Sequence, residues 1–478
     1  MPAVTAQLTS SPAPSTVSLG GWGGVGEVQA QLLRPTDPDA VRAALEPARD
    51  AHGAIARGMG RSYGDAAQLA GGLVLDLTAL KHVDLDRQSG IVTVQAGITI
   101  GELLDQVVRQ GWIVPVVPGT QHVTIGGAIA SDIHGKNHGT AGTFGSHVRA
   151  IGLLSAGGEL LELESEDPDG LFAATLGGMG LTGVIVWARI ALAPAGRALL
   201  SVDTDRARDL DEALELLSQP GGPHRVAWLD VLGPRAGRGI VTRAELLGEG
   251  DGEGEIAPTA TATATPTASA TPTATATSTA TVRARATVPA RWPSSVLRPI
   301  TVSAFNELHF RRAPRRQRGH VEQFGAHMFP LDVLRAWPRL YGPRGFVQYQ
   351  LVVPPSGVLV LQQTIELLRR RRVPCYLAVL KDFGPANGAP LSFPIAGWTL
   401  ALDLPAAAPG LHKALEDLDE LVATAGGRVY LSKDSRLRPD TVRAMYPELP
   451  AWRSVRDQID PDGLWRSDLA LRTGLVEA

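Results

Sequence analysis

The sequence predicts an α+β protein of two domains, and three observations carry that reading. The 478 residues exceed one ordinary hydrophobic core. The first half sets two glycine-rich loops behind short β-branched runs. The second half shows a strand and helix order that closes an antiparallel sheet with helices on one face. The expected limits are 17–196 for the first domain and 197–427 for the second, with 428–478 returning to the first.

The loops are the strongest signal. Residues 57–65 read Arg-Gly-Met-Gly-Arg-Ser-Tyr-Gly-Asp, and 118–138 read Pro-Gly-Thr-Gln-His-Val-Thr-Ile-Gly-Gly-Ala-Ile-Ala-Ser-Asp-Ile-His-Gly-Lys-Asn-His. Glycine backbone lets N–H groups approach a phosphate-bearing cofactor closely, here from two sides. The second loop also carries His134, Lys136 and His138 among small residues, which suits a redox ring laid against backbone with polar groups at its edge. A bound dinucleotide is expected.

Two further glycine patterns, 21–26 and 178–183, match G-x-G-x-x-G. A Rossmann fingerprint follows a strand, opens a helix and is trailed by an acidic residue about 20 positions later. The first has no helical period after it. The second leaves a helix-like segment at 171–176 and enters a strand at 184–190, so it reads as a helix-to-strand turn with Gly183 against the cofactor. NAD is rejected as the resident cofactor.

Between the loops, 73–117 alternates β-branched runs with one helix at 100–110. Thr99 and Glu102 give it a capping box, Leu103, Leu104, Val107 and Val108 line one face, and Gly111 stops it. Further strands are expected at 147–154 and 184–192, with Pro194 marking the boundary. From 249 to 294 the chain becomes Thr/Ala/Pro repeats with almost nothing large to bury, which reads as a disordered insertion. After it, strands at 346–353, 375–381, 398–404 and 428–431 alternate with helices at 358–370 and 411–424, the split βαβ order.

Composition narrows the function. A net charge of −3 is too balanced for a nucleic-acid binder. One cysteine excludes an internal disulfide and a cysteine-based zinc or iron–sulfur site, and no metal site is expected. The first 16 residues lack a basic start and an apolar core, and no apolar run approaches the ~20 residues of a membrane span. A cytoplasmic protein, or one held peripherally at the plasma membrane on either side, is expected.

Period two puts Gln348 and Gln350 on one strand face, where two amides could hold sugar hydroxyls; a solvated face is the plainer reading of the pattern. Lys381 ends the next strand and Asp403 lies near the end of the one after. Lys433 follows the last strand in Tyr-Leu-Ser-Lys-Asp-Ser-Arg, 430–436. A lysine there is ordinarily solvated or paired, here with Asp434, but a fixed cation could also stabilise the negative charge that hydride transfer leaves at one edge of a redox ring. His134, which titrates near neutrality, and Tyr63 are candidates for taking the hydroxyl proton, and the sequence does not rank them. Arginines at 311, 312, 315, 316 and 318, and again at 369–372, form solvated faces or meet a phosphate and anionic lipid.

The two loops resemble the flavin domain of the vanillyl-alcohol-oxidase type, and most closely the decaprenylphosphoryl-β-D-ribose 2′-oxidase family of actinobacterial cell-wall enzymes. The segments 341–350, 390–398 and 444–447 add to the resemblance. It implies a two-domain vanillyl-alcohol-oxidase (PCMH-like) flavoprotein with FAD over an antiparallel-sheet substrate domain. The expected cofactor contacts are Gly58, Gly60, Arg61, Ser62, Tyr63 and Gly64 in the first loop. In the second they are Gly119, Thr120, Thr124, Gly126, Gly127, Ala128, Ser131, Ile133, Gly135, Asn137 and His138, with Gly183 and Lys433 beyond it. Members that tether FAD usually carry a histidine about where Arg61 stands, and this half has no cysteine, so noncovalent FAD is expected.

The resemblance also implies Lys433, His134 and Tyr63 as catalytic candidates and Gln348, Gln350, Lys381, Asp403 and Ala401 around the sugar. Family members commonly have a cysteine where Ala401 stands, and nitroaromatic inhibitors bond to it. The implied reaction is oxidation of the ribose 2′-hydroxyl of a decaprenyl-phosphate-linked ribose, with an NAD-dependent keto-reductase completing epimerisation to the arabinose donor. An oxidase of free sugars or alditols on the same scaffold is the alternative.

Overall fold

The structure, a computed structural model, describes residues 14–233, 235–248, 280–292 and 297–477. In the first domain, strands Ser15–Leu19, Val28–Leu33, Leu73–Asp76 and Ala54–Arg57 lie side by side in that order, the last three parallel. Leu73–Asp76 is buried throughout, as a parallel strand covered on both faces must be. A second, antiparallel sheet orders Val83–Asp86, Ile91–Gln95, Val184–Ala191, Val148–Leu154 and Leu160–Glu164. Helix Ile100–Val107 starts at the expected capping box: Thr99 N–H donates to the Glu102 carboxylate at 2.9 Å and Glu102 N–H to Thr99 Oγ1 at 3.2 Å. It tightens into a 3₁₀ turn, Val108–Gln110, before Gly111 takes φ 83°.

The C-terminal segment comes back to this domain. Ala54 N–H donates to Leu464 O at 2.9 Å, Arg466 N–H to Ala54 O at 3.0 Å, and Arg472 forks onto both oxygens of Asp65 at 2.8–2.9 Å. Strand Arg428–Val429, expected to open this segment, instead pairs with Phe346–Val353 at the edge of the other sheet.

That second sheet has eight strands where the pattern suggested four. The anticipated unit is there: Phe346–Val353, helix Leu359–Arg371, Leu377–Phe383, Gly397–Pro405, helix Leu411–Thr424 and Arg428–Val429. Its strands stand in the order fourth, first, third, second. A second unit, with strands Leu199–Ala207, His224–Leu229, Gly239–Leu246 and Arg316–Gln323, has the same order. The two join where His224–Leu229 pairs with Leu377–Phe383. Helices Leu210–Ser218, Leu359–Arg371 and Leu411–Thr424 bury their apolar sides in one core cluster with Ala227, Leu229, Val241 and Leu380. The remaining long helix, Pro299–Arg312, lies over the opposite face and is called the roof helix here.

The expected disordered insertion, 249–294, divides. Residues 249–279 and 293–294 lie outside the described residues. Residues 280–292 are packed, which corrects the expected end: Val282 N–H and O both bond the Gln121 side chain, Ala286–Thr287 pairs with Leu334–Arg335, and Ala280 and Val288 are buried. The Thr/Ala/Pro character fades by that point, and Val282 and Val288 supply the apolar surface that the repeats lack.

One loop fastens the domains to each other. Ser131 O accepts the Tyr430 hydroxyl at 2.7 Å. Asp132 takes Ser392 Oγ at 2.5 Å and Asn387 Nδ2 at 2.8 Å. Lys136 donates to His327 O at 2.5 Å while its own carbonyl accepts Arg225 N–H at 2.7 Å, and His138 Nδ1 accepts Gly384 N–H at 3.1 Å. Burial pushes the Asp132 carboxyl upward against those donors. Asp132→Ala strands Gly145 N–H and the Ser392 and Asn387 donors, and should cost about 2–4 kcal/mol in urea unfolding. Unchanged stability would show that the seam lies elsewhere.

Candidate active site

A cavity of about 1130 Å³ runs between the first domain and the inner face of the eight-stranded sheet. It exceeds the ~300–1,000 Å³ usual for one small-molecule site. From the first loop, Gly58, Gly60, Arg61, Ser62 and Tyr63 line it; from the second, Gly119, Thr120, Thr124, Gly126, Gly127, Ser131, Ile133, His134 and Gly135 do. Gly183, at φ 149°, and Lys433 complete that wall, and Gln348, Gln350, Lys381 and Ala401 form the facing one.

Five expected contacts lie off the cavity. Gly64 is a packing glycine, since a Cβ there would fall 1.9 Å from Asp434 O. Ala128 is wholly buried in the first domain's core. Asn137 donates its amide to Pro115 O at 2.9 Å, and His138 lies against Phe383. Asp403 stands behind Gln348, whose Nε2 donates to it at 2.5 Å, with the Tyr341 hydroxyl at 3.3 Å. These residues hold the site and do not face its contents.

Lys136, named above among the second loop's polar groups, faces the cavity, and so do residues that the sequence reading left unassigned: Trp22, Met179, Trp228 and His327. Two had a signal. Trp22 belongs to the glycine pattern at 21–26, whose turn docks on the first loop through Trp22 N–H to Ser62 O at 2.7 Å and Gly23 N–H to Tyr63 O at 3.0 Å. Met179 sits in the pattern at 178–183, between helix Leu171–Thr175 and strand Val184–Ala191 as the turn reading required.

The hydrogen bonds fix the protonation of His134. Thr399 spends its own hydroxyl proton on Leu351 O at 2.8 Å, so Gln350 Nε2 must donate to Thr399 Oγ1 at 3.0 Å. The second amide proton then points at His134 Nε2, also 3.0 Å away, which leaves that nitrogen an acceptor and puts the ring proton on Nδ1. Burial, with Lys381 and Lys433 close by, holds this imidazole well below its ordinary pKa, so it is neutral. The Tyr63 phenol is raised, chiefly by burial and then by Asp403, and stays protonated. Among the described residues, the Nζ of neither Lys381 nor Lys433 makes a hydrogen bond or an ion pair. Burial lowers Lys381 to about 8 and Lys433 to about 7, the latter also through Lys381.

These walls suit FAD. A Cβ added at Gly119 would meet nothing within 4 Å, so bare backbone faces open space there. Arg61 lies 3.8 Å over the Trp22 ring with its Nε buried and unpartnered, and His134 Nδ1, Gln348 Oε1 and Gln350 Oε1 are likewise buried without a partner within the chain. Buried polar atoms without partners at a cavity wall ask for a polar ligand.

Residues 29–164 match the FAD binding domain family. The chain is 38% identical to the decaprenylphosphoryl-β-D-ribose oxidase of Mycolicibacterium smegmatis, over 97% of this chain and 98% of that one. The chain belongs to the decaprenylphosphoryl-β-D-ribose oxidase family. It is an FAD-dependent oxidoreductase of the vanillyl-alcohol-oxidase fold. An uncharacterised Streptomyces coelicolor protein is 36% identical over 79% of this chain and all of its own length. The fold is shared with 6-hydroxy-D-nicotine oxidase of Arthrobacter nicotinovorans, at a TM-score of 0.65 and 16% identity over 97% of this chain and 98% of that one.

Ala401 opposes Gln350 in the sheet and lines the cavity where a family cysteine is expected to stand. Cys375 is buried off the cavity, donates to Leu377 O at 3.2 Å, and burial pushes its thiol up, so it is no nucleophile. Nitroaromatic inhibitors should therefore leave the intact mass of this protein unchanged after turnover, while Ala401→Cys should acquire one adduct. An adduct on Cys375 would contradict this placement.

Proposed function

We propose that the protein oxidises the ribose 2′-hydroxyl of decaprenylphosphoryl-β-D-ribose to the 2′-keto sugar, using noncovalently held FAD. The observation that carries the reading is the two-part cavity. A polar end, set by Gln348, Gln350, Lys381 and Lys433, continues along the sheet face into an arm that is apolar at Val379, Val226, Trp228, Ile240 and Phe305 and polar again at Thr204, Gln317 and His320 toward the sheet edge. A free sugar or alditol would fill the first part and leave the second wet, so the arm favours a lipid-linked substrate. On this reading the product passes to an NAD-dependent keto-reductase, the pair epimerising ribose to the arabinose donor for cell-wall arabinan, and the protein works peripherally at the membrane. No helix among the described residues is long and apolar enough to cross a bilayer.

Bound FAD supplies the hydride acceptor. The chain's own part is to orient the sugar, hold charge and move a proton. Gln350 is locked by Thr399 and His134, and Gln348 by Asp403, so both amides present their free Oε1 atoms in fixed positions to hydroxyl donors. Tyr63 stays a phenol and could accept the 2′-hydroxyl proton only after first losing its own to become a buried phenolate, and the His134 lone pair is already directed at Gln350. Lys381, whose amine is neutral in part near pH 8, is the better matched acceptor. Lys433 acts in its charged form, steadying negative charge at the cofactor side. Two ammonium groups in one desolvated space oppose each other's charge, so one proton shared between them is the favoured state.

The direct test is anaerobic bleaching of the flavin with polyprenylphosphoryl ribose, free ribose and alditols. Only the lipid-linked sugar should bleach it rapidly, and Lys433→Ala should slow that step about 100-fold or more with FAD retained. Bleaching by free alditols alone would remove the reading.

The pH profile follows from the signs. With Lys381 at about 8 and Lys433 at about 7, the form with neutral Lys381 and charged Lys433 is the minor holder of the shared proton; its share rises up to about pH 7, is level to about pH 8 and falls above it, so activity should follow a broad bell. Lys433→Ala should erase the falling limb. A single inflection near 6.5 would instead point to His134.

A further inference from the structure

The sheet's two units share a strand order, yet they differ in where the second helix goes. In the unit 346–429, both helices lie on the outer face and share one core cluster. In the unit 199–323, Leu210–Ser218 does so, while the roof helix Pro299–Arg312 lies over the cavity face. It is held there from its inner side. His309 meets Trp228 edge-on at 4.8 Å, Asn306 Nδ2 donates to Asp230 Oδ1 at 2.9 Å, and Glu307 pairs with Arg238 at 2.7 Å.

A stripe on the opposite side of the helix makes no contact to the rest of the fold of that kind; its one ion pair is within the helix, Arg311 to Glu307. Ile300, Ala304, Leu308 and Arg311 follow one another at four-, four- and three-residue steps, and Ile300, Phe305 and Leu308 are 76%, 54% and 47% exposed. One exposed leucine needs no explanation; three large apolar side chains on one helix beside a cavity mouth form a patch. Arg312, Arg315 and Arg316 follow, exposed and without a carboxylate partner among the described residues, whereas Arg318 pairs with Asp205 at 2.8 Å. The other arginine run is different in kind, since Arg371 pairs with Asp417 at 2.5 Å on the outer helix layer. Phe305 and Arg312 belong both to this surface and to the cavity lining.

We infer that the roof helix docks on an anionic lipid bilayer, with Ile300, Phe305 and Leu308 in the acyl boundary and the arginines among the headgroups. An apolar stripe bordered by unpaired arginines is the pattern that lies in such an interface, sunk by ~5–10 Å. The inference rests on the lipid-linked reading of the substrate, because it places the apolar arm's mouth where such a chain would leave the membrane. The substrate would then slide from bilayer to cavity without its hydrocarbon crossing water.

The test is sedimentation of the FAD-loaded full chain with vesicles of phosphatidylcholine, with or without phosphatidylglycerol. Binding should need phosphatidylglycerol and weaken with salt. Ile300→Glu with Leu308→Glu, and separately Arg315→Glu with Arg316→Glu, should each weaken it about ten-fold or more. Both pairs should keep their flavin and bleach at the wild-type rate with a soluble short-chain polyprenylphosphoryl ribose. The inference is overturned if the wild type stays in the supernatant or if the variants sediment equally. It is also overturned if the stripe proves to join two copies, seen as a dimer that Ile300→Glu with Leu308→Glu dissolves. Vesicle binding without bleaching would count against the substrate reading alone.

Discussion

Everything in the site depends on the loop 131–138 being held from both sides. Five of its residues make polar contacts that cross from the first domain to the second, the cap over it: Ser131 to Tyr430, Asp132 to Asn387 and Ser392, His134 to Gln350, Lys136 to His327, and His138 to Gly384. A loop this short can make so many only with little side-chain bulk at Gly135, where a Cβ would lie 2.6 Å from Asn137 Oδ1 and 3.1 Å from Val117 O. The same residues that carry polar groups to the cavity therefore set the distance between the two domains. A catalytic group placed by such a seam is positioned before any ligand arrives, and that is where most of the benefit of orientation originates.

The seam also explains the charge state of the cavity. Lys136, Lys381 and Lys433 are packed into desolvated walls, which lowers all three, to about 7, 8 and 7. Glu322 and Asp403 lie close enough to soften the effect, but neither forms an ion pair with a lysine. An enclosed positive field without matched carboxylates is costly to the empty fold and favourable to an anionic ligand. The protein accepts the cost where a negatively charged cofactor and a phosphate-linked substrate would offset it.

Much of this was legible in the sequence, for identifiable reasons. The strand at 346–353, the helix at 411–424 and the capping box at Thr99 are local patterns, and local patterns survive into the fold unchanged. The first half of the cap was missed because its last strand, Arg316–Gln323, is polar and edge-exposed, and because the Thr/Ala/Pro run separates it from its partners. Asp403 and Asn137 were assigned to ligands by the resemblance, which fixes a residue's place in the chain and not how deep its side chain lies. Depth is set by Gln348 and Pro115, residues far away in the chain. The neutrality of His134 was beyond reach for the same reason: it follows from a Thr399 hydroxyl that bonds a neighbouring strand.

That chain of bonds from Leu351 through Thr399 and Gln350 to His134 is the most compact statement of the account, because it joins the cap sheet, the seam and the chemistry. Selective ¹⁵N labelling of histidine, with His134→Gln to assign the signal, reads it directly. The account predicts a His134 that is neutral at neutral pH, with its proton on Nδ1 and its Nε2 unprotonated, because burial beside Lys381 and Lys433 holds it well below the ordinary histidine range. A ring that titrates near 6.5, or one protonated at Nε2, would contradict it.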